Sequence, residues 1–482
     1  MKDLLDSATS RRMGMIEYLL YSDNWITAAQ LARKFNVSVR TVNNDIHFLK
    51  GKWSHIICFE ISLKFGIHLR LPPNNTIKEI YRYIFEHSLP LTLIGDIFLN
   101  PTLSISEWAI ETDRSEATLR RILIKMEEGL QKRNIFLSKR PLALVSQNEC
   151  AVRIFMMHYL RECSLPGNWC LDLSSLDISQ YVYQLIQDVE PASIPFFHEE
   201  NAVLFYIAIV RYCQGFNDEP REIDPDRFAK LKDHFIKTKH RLQNIFIGYF
   251  FDLSDAFILN LYQAIFPIEN KTQTLLKTQI LSLIEDVQSG LSISIEPDEV
   301  LSLAHSIQFK VNHYQCIGPF NYIVWDNSSM YLHILKKEFP EDIEKISTLV
   351  KTHLPFPLQP NSSLLQEIIY TFYIEWTNLS LALEDRKKVI RIALISDISY
   401  KHATILSNQL SKRFGSFVQL TRFFYDCVNP DYFDQRTLEA YDVLISTFTL
   451  TTQSKDKLIQ IDAILTEASW KNIAEKILEI RR

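Results

Sequence analysis

One segment near the N-terminus, residues 26–49, constrains the fold of this chain more than any other. Two hydroxyl side chains of the kind that cap helix N-termini, Thr27 and Ser38, each precede a short amphipathic run. Asn36, which tolerates a left-handed backbone, ends the first run. The apolar residues at helical spacing are Ala28, Leu31, Phe35, Val42, Ile46 and Leu49. With another predicted helix over residues 11–21, the pattern predicts three helices, and the sharp turn between the last two is typical of a helix-turn-helix.

Apolar residues alternate with polar ones in the segment that follows, and a glycine lies near the turn. These residues are Ile61, Leu63, Phe65, Gly66, Ile67, Leu69 and Leu71. A period of two with a central glycine predicts a β-hairpin. Residues 1–72 are therefore predicted to form a winged helix-turn-helix.

The same order of elements recurs at residues 73–168. Ser104 is predicted to cap a short helix, and Ser115 a longer one that runs to Leu130. Two short apolar strands, 135–137 and 142–145, then predict a second wing. This internal repeat predicts two linked DNA-binding units.

The remainder of the chain predicts two different kinds of structure. Residues 150–385 are aromatic-rich amphipathic helices, and we predict one helical bundle at 171–285 and another at 286–385. Strands alternate with helices over 388–482, which predicts a small parallel α/β domain. The predicted fold class is mainly α and multidomain, with two winged helix-turn-helix domains, two bundles and a C-terminal α/β domain.

Composition disfavours several classes of protein. The chain has only 11 glycines and lacks both G-x-G-x-x-G and G-x-x-x-x-G-K-[ST], so nucleotide-dependent enzymes are disfavoured and we expect no enzymatic activity and no cofactor. The first ten residues are polar and do not resemble a signal peptide. The longest apolar run, 203–210, is too short to cross a bilayer, so we expect a cytoplasmic protein with no membrane contact.

The seven cysteines include no C-x-x-C pair. The nearest approach to a metal-ligand set is Cys163 with Cys170 and His158, and reduced thiols in a reducing cytoplasm are the favoured interpretation. We therefore expect no metal site.

The net charge of −5 hides an uneven distribution. Residues 1–145 contain 20 lysines and arginines against 15 acidic residues, a net charge of +5, whereas the rest contains 32 against 42, a net charge of −10. A basic head on an acidic body lets one end bind phosphates while the remainder is repelled. The charge distribution thus supports double-stranded DNA as a partner.

Polar residues of the first helix-turn-helix are placed for DNA contact. The second helix of such a motif enters the major groove, where arginine pairs with guanine and asparagine with adenine. The residues predicted to meet bases or phosphates there are Ser38, Arg40, Thr41, Asn43, Asn44 and His47. Those predicted to contact phosphates from the helix end and the wing are Lys50, Lys52, Lys64, His68 and Arg70.

In the second unit the corresponding residues are Ser115, Thr118, Arg120, Arg121 and Lys125. Arg120 and Arg121 are adjacent and project about 100° apart on a helix, so one of them is expected to bind phosphate rather than a base. The acidic residues Glu116, Glu127 and Glu128 weaken the electrostatic attraction of this unit for DNA.

The segment T-A-A-Q-L-A-R-K-F-N-V-S-V-R-T-V-N-N-D-I at residues 27–46 is similar to the first recognition unit of the Mga/AtxA group of PRD-containing virulence regulators from Gram-positive bacteria. The resemblance covers nearly the whole chain by architecture. It implies a transcription regulator, usually an activator, that acts with RNA polymerase. The bundles would be phosphotransferase-system regulatory domains (PRDs), phosphorylated by the histidine phosphocarrier protein, and the tail would resemble an EIIB subunit that supports a homodimer.

The resemblance also implies particular phosphoacceptor residues. PRDs carry a histidine in a pattern close to H-x-x-F-x-x-x-R. His305 is suitably placed in the second bundle, although Asn312 replaces the arginine, and Tyr373 stands where a later histidine is expected. In the first bundle the pattern through Arg211 has leucine in the place of histidine, so His198 is a displaced candidate.

The tail lacks the residue that an active EIIB subunit needs. Its phosphocysteine would lie just after the first strand, where this chain has residues 396–400 without a cysteine, and Cys427 follows the second strand instead. We therefore predict a tail that is inactive in phosphotransfer and kept for folding or dimer contacts.

Three other functions stay open at this point. A phosphotransfer protein is disfavoured by the missing loop cysteine. An RNA-binding antiterminator is disfavoured because those proteins begin with a small β-rich domain. An architectural protein that reads DNA shape with low base specificity fits the same polar residues, and only a comparison of specific with bulk DNA separates it from a regulator.

Overall fold

A computed structural model describes most of the chain in two compact units. The described residues are 2–22, 24–164, 175–191, 199–217, 223, 225–266, 271–359, 362–425, 438–450 and 455–481. The first unit consists of Met1–Gly290, Glu296–Ile334 and Lys345–Glu375, and the second of Leu291–Ile295, Leu335–Glu344 and Trp376–Arg482.

The first unit begins with three helices and a hairpin: α1 (Ser7–Leu20), α2 (Ala28–Lys34), α3 (Val39–Trp53), β1 (Cys58–Ser62) and β2 (Gly66–Arg70). The strands β1 and β2 pair antiparallel. Ile26 and Ile67 exchange two backbone hydrogen bonds of 2.9 and 2.8 Å, which join the hairpin to the segment before α2. The predicted winged helix-turn-helix is confirmed here.

The turn of this hairpin differs from the expected pattern. The alternation predicted strand through Leu63 and Phe65, but Ser62 pairs with Gly66, so residues 63–65 form the turn. The side chains of Leu63 and Phe65 are exposed as a result. Gly66 has a φ of 110°, and a Cβ there would lie 2.5 Å from the carbonyl oxygen of Ile26, so only glycine fits where the second strand begins.

The second helix-turn-helix follows the same plan. Its elements are α4 (Lys78–His87), α5 (Leu89–Leu99), α6 (Ile105–Glu111), α7 (Glu116–Gln131), β3 (Phe136–Lys139) and β4 (Leu142–Val145). Asp113, in the turn between α6 and α7, has a φ of 50°, and Asn36 has a φ of 51° in the turn between α2 and α3. The predicted repeat is thus confirmed down to the backbone of the turn.

The described residues from 149 to 386 are mainly helical. The helices are α8 (Glu149–Cys163), α9 (Ser175–Val189), α10 (Glu199–Cys213), α11 (Pro225–Ile245), α12 (Asp255–Ile265), α13 (Lys271–Leu291), α14 (Pro297–Ile317), α15 (Asn327–Glu338), α16 (Pro340–His353), α17 (Ser363–Glu375) and α18 (Leu379–Arg386). The boundary placed between residues 285 and 286 falls inside α13, and residues 286–385 are shared by both units. The division into two bundles stays a prediction.

The helix α8 is enclosed along almost its whole length. Arg211 of α10, itself 1% exposed, donates from Nε and Nη2 to the two carboxylate oxygens of Glu149 at 2.5 and 2.8 Å. Its Nη2 also donates to the carbonyl oxygen of Leu144 at 2.9 Å. This buried ion pair fixes the first turn of α8 and the second wing on α10.

The second unit contains a parallel sheet with helices. Its strands and helices are β5 (Ile390–Ser396), α19 (Tyr400–Phe414), β6 (Val418–Phe424), β7 (Val443–Ser446), β8 (Leu458–Gln460) and α20 (Glu467–Arg481). The strands are ordered β6-β5-β7-β8, and every pair is parallel. The predicted C-terminal α/β domain is confirmed. Among the described residues, no helix has both the length and the apolar character that crossing a membrane requires.

Two glycine substitutions should have opposite effects on the first helix-turn-helix. Gly66→Ala introduces a methyl group against the Ile26 carbonyl and a disfavoured φ, so it should lower the free energy of local unfolding by about 2–3 kcal/mol. Gly51→Ala lies in α3 with nothing within 4 Å of the added Cβ, so it should raise that free energy by about 0.5–1 kcal/mol. Amide hydrogen exchange over residues 24–70 measures both effects, and equal protection in the two variants would refute the assigned role of Gly66.

Candidate nucleic-acid interface

The N-terminus of α3 is fixed by its own side chains. The hydroxyl of Ser38 accepts the backbone N–H of Thr41 at 3.1 Å and lies 2.9 Å from the Thr41 hydroxyl. The helix before it begins with a capping box in which Thr27 and Gln30 satisfy each other's backbone N–H groups. Ser38 and Thr41, both predicted to contact DNA, therefore also hold the start of α3 in shape.

The polar face of α3 points to solvent. Val42, Ile46 and Leu49 are buried in the first core. The predicted DNA-contacting residues that the structure leaves exposed on this helix are Arg40, Asn43, Asn44, His47, Lys50 and Lys52. The structure thus brings Arg40, Asn43, Asn44, His47 and Lys50 to one helix surface, whereas Lys52 points toward α4.

Asp45 is a residue of α3 that sequence reasoning missed. It is 1% exposed, and its two carboxylate oxygens accept Nε of Arg11 at 2.6 Å and Nε of Arg12 at 2.7 Å. The guanidinium of Arg12 also lies 3.7 Å from the ring centre of Phe48. These contacts attach α3 to α1. In the sequence, the two adjacent arginines at 11–12 were the sign that a buried carboxylate such as Asp45 could pair with α1.

Lys52 differs from Lys50, although both were predicted to reach phosphates. The Lys52 ammonium donates to the hydroxyl of Tyr83 at 3.0 Å and lies 4.1 Å from the centre of that ring. This contact joins the end of α3 to α4. Lys50 is exposed, with no ion pair or hydrogen bond to another described side chain, so it is the better placed of the two for a phosphate.

The cations of the first wing differ in whether they are already engaged in ion pairs. Lys64 is exposed in the turn, with its ammonium 5.4 Å from the centre of the Phe65 ring. Arg70 donates to Glu60 at 2.7 Å, and His68 lies 3.6 Å from the same carboxylate. Lys64 is therefore the predicted wing residue that a duplex can engage without breaking an ion pair.

The second recognition helix, α7, is capped in the same way. Ser115 accepts the backbone N–H of Thr118 at 3.2 Å, and the two hydroxyls lie 2.9 Å apart. Arg120 is engaged with Glu116 at 3.1 Å. The adjacent Arg121 points elsewhere, as expected for neighbours on a helix.

A cleft of about 660 Å³ lies between the two helix-turn-helix domains. Residues of both domains line it, among them Arg12, Lys52, Arg121 and Lys125. The structure therefore places Arg121 and Lys125 of α7, which form no ion pair with another described residue, beside the end of α3, a proximity that no sequence pattern indicated. Arg12 is paired with Asp45, and Asp6 also lines the cleft, so Lys52, Arg121 and Lys125 are the cations there that favour an anionic partner.

The candidate phosphoacceptor His305 lies on α14. It is half-buried, its Nδ1 atom is buried, and it lines a cavity of about 920 Å³ within the first unit. Asn312, which replaces the expected arginine, accepts a hydrogen bond of 2.9 Å from Gln273. His198 lies outside the described residues.

Two further histidines line the same cavity and were not singled out as phosphoacceptors. His158 and His313 are about 95% buried, with ring centres 5.9 Å apart. Burial and the nearby Lys310 cation lower the pKa of His313 to about 3, and burial likewise lowers the pKa of His158. Both are therefore neutral at physiological pH. Cys170 lies outside the described residues, and no group of three or more potential metal ligands occurs within them.

The loop after β5 is closed by its own side chains. Ser396, which is fully buried, lies 2.9 Å from Nδ1 of His402, and Asp397 accepts the hydroxyl of Thr447 at 2.7 Å. Ser399 caps α19. These polar groups are used in holding the loop. Cys427 lies outside the described residues.

The Asp45 clamp allows a direct test of how α3 is held. Asp45→Asn keeps the shape but removes the charge that two arginines share, so it should cost about 2–3 kcal/mol of local stability at α1 and α3. The matched control is Asp113→Asn, an exposed residue with a positive φ that asparagine tolerates. Hydrogen exchange of α1 and α3 gives the measurement. Undiminished protection in Asp45→Asn would show that the clamp does not position α3.

Comparison with known protein families matches both helix-turn-helix regions to family models. A model of the HTH domain matches residues 11–57, and a model of the Mga helix-turn-helix domain matches residues 73–160. These matches coincide with the two helix-turn-helix units of the structure.

Relatives extend the similarity to nearly the full chain. The anthrax toxin expression trans-acting positive regulator of Bacillus anthracis is 20% identical over 97% of this chain and 98% of its own. The capsule synthesis positive regulator AcpB of the same organism is 22% identical over 97% and 98%. A protein of Streptococcus pneumoniae serotype 4 is 20% identical over 97% of both chains. The B. anthracis relatives are named as positive regulators, and this chain, with its two N-terminal helix-turn-helix domains, is a DNA-binding transcriptional regulator similar to the Mga/AtxA group.

Proposed function

We propose that this protein activates transcription by binding promoter DNA with α3 in the major groove. The observation that carries the proposal is the division of α3 into a buried apolar face and an exposed polar face behind a fixed N-cap. A rigid helix end with exposed arginine and asparagine side chains is what direct base reading needs. Activation as the sign of regulation follows the names of the B. anthracis relatives.

The exposed residues of α3 divide into two roles. Arg40 is assigned to guanine, and Asn43 or Asn44 to adenine, because those pairings are bidentate. His47 and Lys50 lie further along the helix, and Lys50 is assigned to a phosphate. Ser38 and Thr41 position the helix start, because the Thr41 backbone N–H donates to the Ser38 hydroxyl.

The wing and the second unit supply further phosphate contacts. Lys64 and Arg70 are assigned to the backbone on either side of the groove, with Lys64 the more available. Arg121 and Lys125 of α7 act with Lys52 from the shared cleft. Arg120 is a further assigned DNA contact on α7. Ser115 caps that helix by accepting the Thr118 backbone N–H, and both residues are assigned to its DNA-facing start.

Substitution of two base-reading residues tests the proposal. Arg40→Ala with Asn43→Ala should lower the affinity for a specific promoter fragment about 100-fold or more, since each bidentate contact is worth about 1–3 kcal/mol. Binding to bulk DNA should fall much less, because phosphate contacts remain. The measurement is competition between promoter fragment and bulk DNA at fixed salt.

The control is Asn408→Ala with Lys412→Ala, an exposed amide and an exposed cation on α19 of the second unit. This control should bind as the parent does. An equal loss on specific and bulk DNA would favour the architectural, shape-reading protein instead. Unchanged footprints in the Arg40 and Asn43 variant would exclude α3 as the reading helix.

We further propose that the helical region regulates the protein through phosphorylation by the phosphotransferase system. His305 is the assigned acceptor, since imidazole is neutral and nucleophilic near pH 7. Its Nδ1 is buried, so we assign transfer to Nε2. His198 is the assigned second acceptor by resemblance alone. A phosphoryl group adds about −2 charge, enough to change how a helix packs.

Phosphoryl transfer from the purified histidine phosphocarrier tests this assignment. The parent should accept acid-labile label, and His305→Gln should lose at least half of it. The matched control is His240→Gln, an exposed histidine of α11, which should be labelled as the parent is. Full labelling of His305→Gln would exclude His305 as an acceptor.

The remaining assignments follow from the resemblance. The regulator acts in the cytoplasm, without a cofactor or membrane contact, as a homodimer in which the C-terminal α/β unit contributes contacts. It then acts with RNA polymerase at the promoter. The loop after β5 contains no cysteine, which supports a tail without phosphotransfer activity.

A further inference from the structure

Two cysteines far apart in the chain meet inside the first unit. Cys150 lies in the first turn of α8, and Cys316 in the last turn of α14. Their sulfur atoms are 3.0 Å apart across a separation of 166 residues. Both are in the thiol form. The distance is only about 1 Å longer than a disulfide bond of about 2.05 Å.

The surroundings hold this pair in place. Asn134, at the start of the second wing, donates to the carbonyl oxygen of Cys316 at 3.4 Å. The side-chain amide of Asn148, which caps α8, lies 4.0 Å from the Cys316 sulfur. Asn134 and the α8 cap therefore both hold Cys316 next to the first turn of α8, and little movement is needed for a bond to form.

The pair is also accessible to a small reagent. Both cysteines are half-buried, and both line the cavity of about 920 Å³. A helix N-terminus such as that of α8 favours the thiolate over the thiol, because its N–H groups carry partial positive charge. Cys150 is the better nucleophile of the two for this reason.

We propose that Cys150 and Cys316 form a peroxide-sensitive dithiol. The Cys150 thiolate attacks one oxygen of hydrogen peroxide and breaks the O–O bond, giving a sulfenic acid and hydroxide. The Cys316 thiolate then attacks the Cys150 sulfur and expels a second hydroxide. Two thiols and one peroxide thus yield one disulfide and two waters, the thiol protons going to the hydroxides.

The bond would link two functional parts of the chain. The helix α8 ends the region matched as the Mga helix-turn-helix domain, and α14 carries His305. A disulfide between them would hold the second DNA-binding domain to the helix of the assigned phosphoacceptor. Oxidative state is thereby a second input to the regulator, separate from phosphorylation.

The test uses the full chain. Purified protein is treated with hydrogen peroxide at a few molar equivalents, alkylated with iodoacetamide and digested without reductant. Mass spectrometry should find the peptides of Cys150 and Cys316 joined in most molecules, and dithiothreitol should separate them. In Cys316→Ser, Cys150 should stop at the sulfenic acid and be trapped by dimedone.

The matched control is Cys213→Ser, another half-buried thiol on α10 that should leave the crosslink unchanged. Full alkylation of both cysteines after peroxide would overturn the proposal. So would crosslinking that runs mainly through the exposed Cys58 between molecules. Mapping the parent protein decides the question even where a variant fails to fold. The readout is chemical and does not depend on DNA binding, so its failure leaves the transcriptional proposal standing.

Discussion

The enclosure of α8 is the constraint on which the rest of the first unit depends. A helix without a solvent face needs a partner inside the protein for each polar group it carries. Glu149 has Arg211 at the first turn, and Tyr159 donates to the carbonyl oxygen of Leu91 at 2.9 Å. At the last turn Glu162 accepts backbone N–H groups from the loop after α14, including that of Val324 at 2.8 Å. The second wing, α5, α10 and the loop after α14 therefore share one anchor.

The two helix-turn-helix domains follow the same local rules but differ in charge. Each recognition helix starts at a serine whose hydroxyl binds a threonine three residues on, Ser38 with Thr41 and Ser115 with Thr118. The exposed face of α3 carries arginine and asparagine, whereas Arg120 of α7 is neutralised by a neighbour on its own helix. The repeat thus supplies two helices of the same shape, and we assign base reading to the first and backbone binding to the second.

Sequence rules that act within a few residues predicted the caps of both recognition helices and the turns that precede them. Such local rules did not predict contacts between residues that are far apart in the sequence. Asp45 resembles any polar residue of a recognition helix, because its partner Arg11 lies 34 positions earlier. Alternation overestimated the first hairpin strand because Leu63 and Phe65 lie in a turn. Likewise, proline and glycine mark where helices end and not which helices pack together, so the boundary at 285/286 fell within α13.

The shared packing of α8 has a thermodynamic consequence. It belongs to the region that carries the second DNA-binding domain, and it packs against the helix of Cys316. Linkage between two sites is reciprocal, so any factor by which a disulfide changes the affinity for a promoter is the factor by which the promoter changes the thiol–disulfide equilibrium. The DNA-bound protein and the free protein would then differ in the reduction potential of this dithiol. Promoter occupancy would therefore help to set the protein's sensitivity to oxidants.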